Sequence, residues 1–279
     1  MDAQPPPSFT VAARGELAVW ELGAGPAVLC LHGFPDHAVG LLPLAEAIAA
    51  AGFRAVVPAL PGYWPSAPVP DGDYSSEAVC ADLLSLLDAL GLARAAVVGH
   101  DWGAWFGYHL GSRHASRISA LAALSSPHPA GYELHGMVLG ELRRAAYAWA
   151  LGYSTRGAEL AADPRWLTAL AQSWSPGLYR RDWPAILDLL ARPTVGEAVA
   201  GYYRADLDGA GAATGRVEVP TTVVYGGQDG CMSPNLYERI EDAFGGPCER
   251  RLLPAVGHWP HLEEPELVTR IVLEALRRA

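Results

Sequence analysis

Three residues of this chain have the types and the chain order that nucleophilic catalysis uses. Asp101 lies in Gly99-His100-Asp101-Trp102-Gly103, Asp229 closes Gly226-Gly227-Gln228-Asp229, and His258 lies in Val256-Gly257-His258-Trp259. The first stretch has the spacing of a G-x-S-x-G elbow, where a strand turns sharply into a helix and presents one side chain at the bend. Here the bend carries a carboxylate in place of a hydroxyl. An aspartate, with a reference pKa of about 3.9, is ionised at neutral pH and needs no base to attack. A covalent ester on it would split one hard step into two easier ones. A histidine is then free to draw a proton from water in the second step, with the other aspartate orienting its ring. Each motif alone is common in unrelated proteins; their conjunction, each after a predicted strand and in one order, carries the reading.

The elements that must position these residues are legible. FTVAA and ELAVWEL read as a hairpin around Arg14-Gly15. AVLCLH (27–32) is a continuous apolar run, the pattern of a strand buried on both faces. An Ala- and Leu-rich helix from Leu41 to Ala51 ends at Gly52, FRAVVP is a strand, and Ser76 is expected to cap a helix through Leu90. AAVVGH feeds the elbow, GAWFGYHLGSRH is its helix, and ISALAALS is another strand. Strands alternating with helices predict a mostly parallel sheet with both faces covered, an α/β fold. From Gly131 to about Ala213 the pattern is helical and rich in aromatics (Tyr147, Trp149, Tyr153, Trp166, Trp174, Tyr179, Trp183, Tyr202, Tyr203). The sheet pattern resumes at VPTTVVYGG, then a helix from about Pro234, the strand ERRLLP and a closing helix. The expected organisation is an α/β core over 1–130 and 214–279 with a helical cap over 131–213, and GAGAATG (209–215) as a hinge.

Bulk properties narrow the function classes. Of 279 residues 51% are hydrophobic and 18% charged, so a packed globule is expected rather than a disordered chain. The net charge of −10 gives no basic footprint for nucleic acid or an anionic membrane. MDAQPPPSFT lacks the parts of a signal peptide, and no apolar run is long enough to span a bilayer. Cys30, Cys80, Cys231 and Cys248 are scattered without zinc-site spacing, so a reducing cytoplasm and no metal are expected.

The motifs HGFPD, GHDWGAW, SSPHP, GGQD and GHWPHLEEP together resemble those of the α/β-hydrolase-fold epoxide hydrolases, in the branch with an aspartate nucleophile. The resemblance covers essentially the whole chain. It implies an α/β-hydrolase fold, no cofactor, and a small epoxide as substrate, apolar or aryl by the aromatic cap. It implies Asp101 as nucleophile, His258 as base and Asp229 as its orienting acid. His32-Gly33-Phe34-Pro35 follows the third strand, where one half of an oxyanion hole is built. The backbone N–H groups of Phe34 and Trp102 are the expected donors, with His32 and His100 in support. Asp36 either orders the hydrolytic water with His100 or caps the turn.

Opening an epoxide creates an alkoxide, and a phenol of reference pKa about 10 can donate to it without ionising at neutral pH. Family members carry two cap tyrosines for this. GYYRADL points to Tyr203 and AAYAWALGY to Tyr147, with Tyr153 and Tyr202 as substitutes. HAVGLLPL stands where the family has a tryptophan-rich stretch, and LPGYWPS where it has R-G-Y-G. Both departures bear on substrate range. A haloalkane dehalogenase would share Asp101 and could use Trp102 for a halide, but Phe34 replaces the asparagine usual there. A fluoroacetate dehalogenase would carry arginines where Trp102 and Trp105 stand, and Asp101 at the bend disfavours a serine esterase. A non-catalytic binding protein would have no need of the triad. The sequence leaves the oligomeric state open.

Overall fold

The computed structural model describes residues 5–278 apart from 137, 179, 181 and 211–214. Tyr179 and most of the 209–215 hinge stretch therefore lie outside the described residues. The elements in chain order are β1 (Phe9–Ala12), β2 (Glu16–Gly23), β3 (Ala27–Leu31), α1 (Leu42–Ala50), β4 (Arg54–Pro58), α2 (Ser76–Ala89), β5 (Ala95–His100), α3 (Trp102–Arg113) and β6 (Ile118–Leu124). A helical insertion follows: α4 (Pro129–His135), α5 (Leu139–Tyr153), α6 (Gly157–Ala161), α7 (Pro164–Trp174), α8 (Trp183–Leu190) and α9 (Pro193–Ala205). The chain then returns through β7 (Thr221–Gly226) and β8 (Cys248–Leu253) to α10 (Pro260–Glu263) and α11 (Pro265–Leu276).

The eight strands form one sheet in the order β1-β2-β4-β3-β5-β6-β7-β8. β1 pairs antiparallel with β2 and β2 with β4; every other pairing is parallel. Every residue of β3, β5 and β7 is buried, which is what their uninterrupted apolar runs require. Helix α1 packs with α11 and α2 with α3, covering the sheet on both faces. The edge strand β8 is half exposed and carries Arg250 and Arg251, charges that deter edge-to-edge pairing.

Two local expectations need correction. Ser75, not Ser76, caps α2: its hydroxyl accepts from the Ala78 N–H, while Ser76 Oγ accepts from the Trp105 indole. The helix expected from Pro234 is reduced to two 3-10 turns, Pro234–Tyr237 and Glu241–Ala243. Arg239 between them adopts a left-handed φ of 57°, which no continuing helix allows.

The buried apolar residues of the insertion (Leu151, Leu167, Ile186, Leu190, Val199) are continuous with the core of the sheet domain, and Tyr202 and Arg180 are among its polar ties to that domain. The Tyr202 hydroxyl donates to the Pro61 carbonyl at 2.9 Å, with its ring among Tyr63, Tyr74, Trp102 and Phe106. Arg180 makes a bidentate pair with Asp36 at 3.0 and 3.1 Å, both side chains buried. Removing one member of such a pair leaves an uncompensated buried charge, at a cost of about 3–5 kcal/mol.

Candidate active site

The bend between β5 and α3 is built by packing. Asp101 adopts φ 52°, ψ −116°, a conformation unusual for any residue but glycine. Its flanking glycines are steric necessities: a Cβ on Gly99 would lie 2.2 Å from the Gly103 carbonyl oxygen, and one on Gly103 2.1 Å from that of Leu31. The strained turn thereby points one carboxylate above the carboxyl ends of the parallel strands, where such sheets place their ligands.

The loop after β3 meets that carboxylate. Phe34 N–H donates to Asp101 Oδ1 at 2.8 Å. Gly33 lets it approach, since a Cβ there would lie 2.3 Å from Oδ1 and 2.7 Å from the Trp102 nitrogen. Both proposed oxyanion donors therefore border the Asp101 carboxyl, though only Phe34 is bonded to it. His32 holds this loop from behind: Nε2 accepts from Leu60 N–H at 3.0 Å and Nδ1–H donates to the Gly33 carbonyl. Burial pushes its pKa down to about 3, so the ring is neutral.

Asp229, on the loop after β7, and His258, on the loop after β8, complete the cluster. His258 Nδ1–H donates to Asp229 Oδ2 at 2.9 Å, and Nε2 faces Asp101 Oδ2 at 3.5 Å. Asp229 Oδ1 accepts from the N–H groups of Cys231 (2.7 Å) and Met232 (3.0 Å), which fixes its plane. The histidine loop is organised by two residues that the sequence reading missed. Glu263 accepts from the N–H groups of Gly257 and Trp259, and Ser175 accepts from that of His258 at 2.6 Å. Ser175 in turn donates to Glu263, tying the insertion to this loop. Their roles are tertiary, so only the LEEP spacing after the histidine hinted at Glu263.

Electrostatics follow from this arrangement. Burial disfavours a charged imidazole at His258, but the Asp229 and Asp101 carboxylates on its two nitrogens outweigh it and raise its pKa to about 10. Burial likewise disfavours ionised Asp101, and the His258 hydrogen bond and charge outweigh it, holding the carboxyl below its usual range. A proton held more tightly in the folded state stabilises fully below imidazole's ordinary value of about 6.5, and that stabilisation is lost as pH rises toward about 10. Denaturant titrations between those limits are expected to show the wild type losing more stability than His258→Gln. Equal losses would mean that His258 is not held as an imidazolium.

Behind the triad, Asp36 accepts from Arg180, from Trp259 Nε1 (3.0 Å) and from His37 N–H. His100 Nε2–H donates to the His258 carbonyl at 2.8 Å. Asp36, His100 and His261 are the one group among the described residues with ligand-type atoms within 4.8 Å of one another. A buried Arg180 already neutralises Asp36, so the cluster is a poor cradle for a dication. Asp36 thus ties the insertion to the loop after β3 through Arg180, accepts from His37 N–H, and lies beside His100. The four cysteines are unpaired.

A cavity of about 380 Å³ opens above Asp101, lined among others by Trp102, Trp105, Tyr132, Tyr147 and Tyr203. Tyr203 is 3% exposed and its hydroxyl has no partner among the described residues. Its ring lies 5.5 Å from that of Tyr147, whose hydroxyl accepts from Cys231 Sγ at 3.4 Å. Burial pushes both phenols well above their ordinary pKa, keeping them protonated. The substitutes fall away: the Tyr202 hydroxyl is committed to Pro61, and Tyr153 is exposed and bonded to Asp208. Tyr132, whose hydroxyl donates to Met232 Sδ, is a lining residue that the sequence reading did not single out.

This sheet order, elbow and cluster define the class. The family model described as alpha/beta hydrolase fold matches residues 26–265, and the chain belongs to that family. Among individual relatives, the chain is similar to an epoxide hydrolase of Caballeronia sordidicola, with 42% identity over 43% of this chain and 37% of the relative's own length. It is also similar to epoxide hydrolase A of Mycobacterium tuberculosis, 28% identical over 93% of this chain and 94% of the relative. In structure it resembles epoxide hydrolase A of Mycobacterium thermoresistibile, with a TM-score of 0.81 at 23% identity over 98% of both chains. No helix among the described residues is long and apolar enough to cross a membrane.

Proposed function

We propose that this protein hydrolyses an epoxide to a vicinal diol through a covalent ester on Asp101. The observation that carries the reading is the cavity that brings the Asp101 carboxylate and two protonated phenols, Tyr147 and Tyr203, to the same space. Phe34 N–H holds Oδ1, which leaves Oδ2 to attack the epoxide carbon. The ring C–O bond breaks as the Asp101 ester forms, and the released alkoxide takes a proton from a phenol. The helical insertion, residues 131–213, acts as the cap that carries both phenols.

Alkylation also prepares the second step. An ester at Asp101 carries no charge, so His258 loses one of the two carboxylates that hold its proton. His258 returns its proton to the phenolate left by ring opening, and the neutral imidazole then accepts a proton from water, whose oxygen adds to Cγ of Asp101. Negative charge develops on Oδ1, at the Phe34 N–H; as the adduct collapses, the Cγ–O bond to the substrate breaks, the leaving oxygen takes the proton from His258 to complete the diol, and the Asp101 carboxyl proton passes back to His258. The names of the relatives support this substrate class.

Tyr203→Phe tests the division of labour. Removing one of two donors is expected to slow single-turnover ring opening by about tenfold to a hundredfold, less than the roughly 10²–10⁴-fold of a lone general acid because a second phenol remains. Ester hydrolysis, followed in the same stopped-flow trace, is expected to change far less. A loss confined to the hydrolytic step would remove Tyr203 from the acid role.

A further inference from the structure

The cavity above Asp101 is chemically lopsided. Besides Asp101 it is lined by two further acids, Asp206 and Glu133, and by no basic side chain. Glu133 is exposed at the mouth, whereas Asp206 is half-buried and has no hydrogen-bond or ion-pair partner among the described residues. Burial with no cation nearby pushes its carboxyl up to about 6. The buried Tyr203 hydroxyl, which has no partner among the described residues, shares the space, and the proposed mechanism commits it to the epoxide oxygen. Asp206 has no such assignment. It follows Tyr203 by three residues, where α9 runs on into one looser turn, Asp206–Ala210. Residues three apart share a helix face about one turn, roughly 5 Å, apart.

We propose that the substrate carries, in addition to its epoxide, a protonated amine that Asp206 receives. Trp105, Tyr132 and Trp149 line the same cavity. Aromatic faces attract a cation, and a partly desolvated carboxylate opposite them completes an ammonium site. The amine sits about one helical turn from the ring oxygen held by Tyr203. Asp206 and Glu133, with no basic side chain lining the cavity beside them, repel an acid, so epoxides ending in a carboxylate are disfavoured by the same charges. The proposal rests on the epoxide reading for its reactive end and on Asp206 alone for its other end.

The test uses aryl epoxides of equal length that end in a primary ammonium, a hydroxyl, a methyl or a carboxylate group. In the wild type, kcat/KM for the ammonium compound is expected to exceed that for the methyl compound by about tenfold to a hundredfold, the range of a charge-assisted hydrogen bond. The carboxylate compound is expected to be the poorest. The ammonium-to-methyl ratio should fall at least tenfold in Asp206→Asn and be kept in Asp206→Glu. Equal rates for the ammonium and hydroxyl or methyl compounds in the wild type overturn the proposal, whatever the variants do. So does a preference that survives intact in Asp206→Asn. Quenching of tryptophan fluorescence by an unreactive arylalkylammonium and its neutral isostere gives a readout without chemistry. Tighter ammonium binding that depends on Asp206, with no turnover of any epoxide, would support the amine site and sink the epoxide reading; turnover without charge preference would do the reverse.

Discussion

Asp101→Ala is expected to fold and to lose epoxide turnover by a factor of about 10⁴ or more, the scale of removing a catalytic nucleophile. The expectation follows from position. Asp101 alone occupies the strained bend, and the oxyanion donor and His258 both converge on its carboxyl. The two other buried acids beside the triad are held in place: Asp36 by Arg180 and Trp259, and Asp229 by His258 and two backbone N–H groups. The fold should survive because the bend is set by Gly99 and Gly103, not by the carboxylate. Near-wild-type turnover in a folded variant, checked by circular dichroism, would dismiss the covalent scheme.

His258→Gln is expected to separate the two chemical steps. Ring opening uses ionised Asp101 and protonated phenols and moves no proton through the imidazole; the variant loses the His258 charge that favours the carboxylate but keeps the Phe34 N–H bond, so ring opening is expected to slow but not to stop. Hydrolysis of the ester requires the imidazole. The variant should therefore consume about one equivalent of epoxide per active site and then stop, with steady-state turnover reduced by roughly 10³-fold or more. Continued turnover beyond one equivalent would show that another base serves the second step.

How much of this was legible in the sequence depends on whether a role is local or tertiary. The elbow was legible because its two glycines and its central residue lie within five positions, and the strand that feeds it is a plain apolar run. Asp229 and His258 were legible because parallel strands deliver their loops to one edge of the sheet. Tyr202 and Tyr203 are neighbours of identical type, yet one hydroxyl is bonded to Pro61 and the other faces the cavity. Only the packing of α9 against the core separates them. Arg180 and Ser175 were not legible, since each acts on a residue tens of positions away across the insertion boundary, whereas Glu263 lies four residues from Trp259 and its role depends on the fold of that loop. Asp206 lies within GYYRADL, but what sets it apart is a carboxylate with no partner among the described residues, which no sequence pattern displays. The helix expected from Pro234 failed because a left-handed residue, Arg239, interrupts an otherwise permissive stretch.

The covalent ester is the central claim, and the intact mass of His258→Gln after mixing with an aryl epoxide tests it most directly, with a bromoalkane in parallel. The account predicts a gain equal to the mass of the whole epoxide, found after digestion on the peptide that carries Asp101. An unmodified protein, or an adduct formed only from the bromoalkane and lacking the halogen, would contradict it and return Tyr147 and Tyr203 to packing.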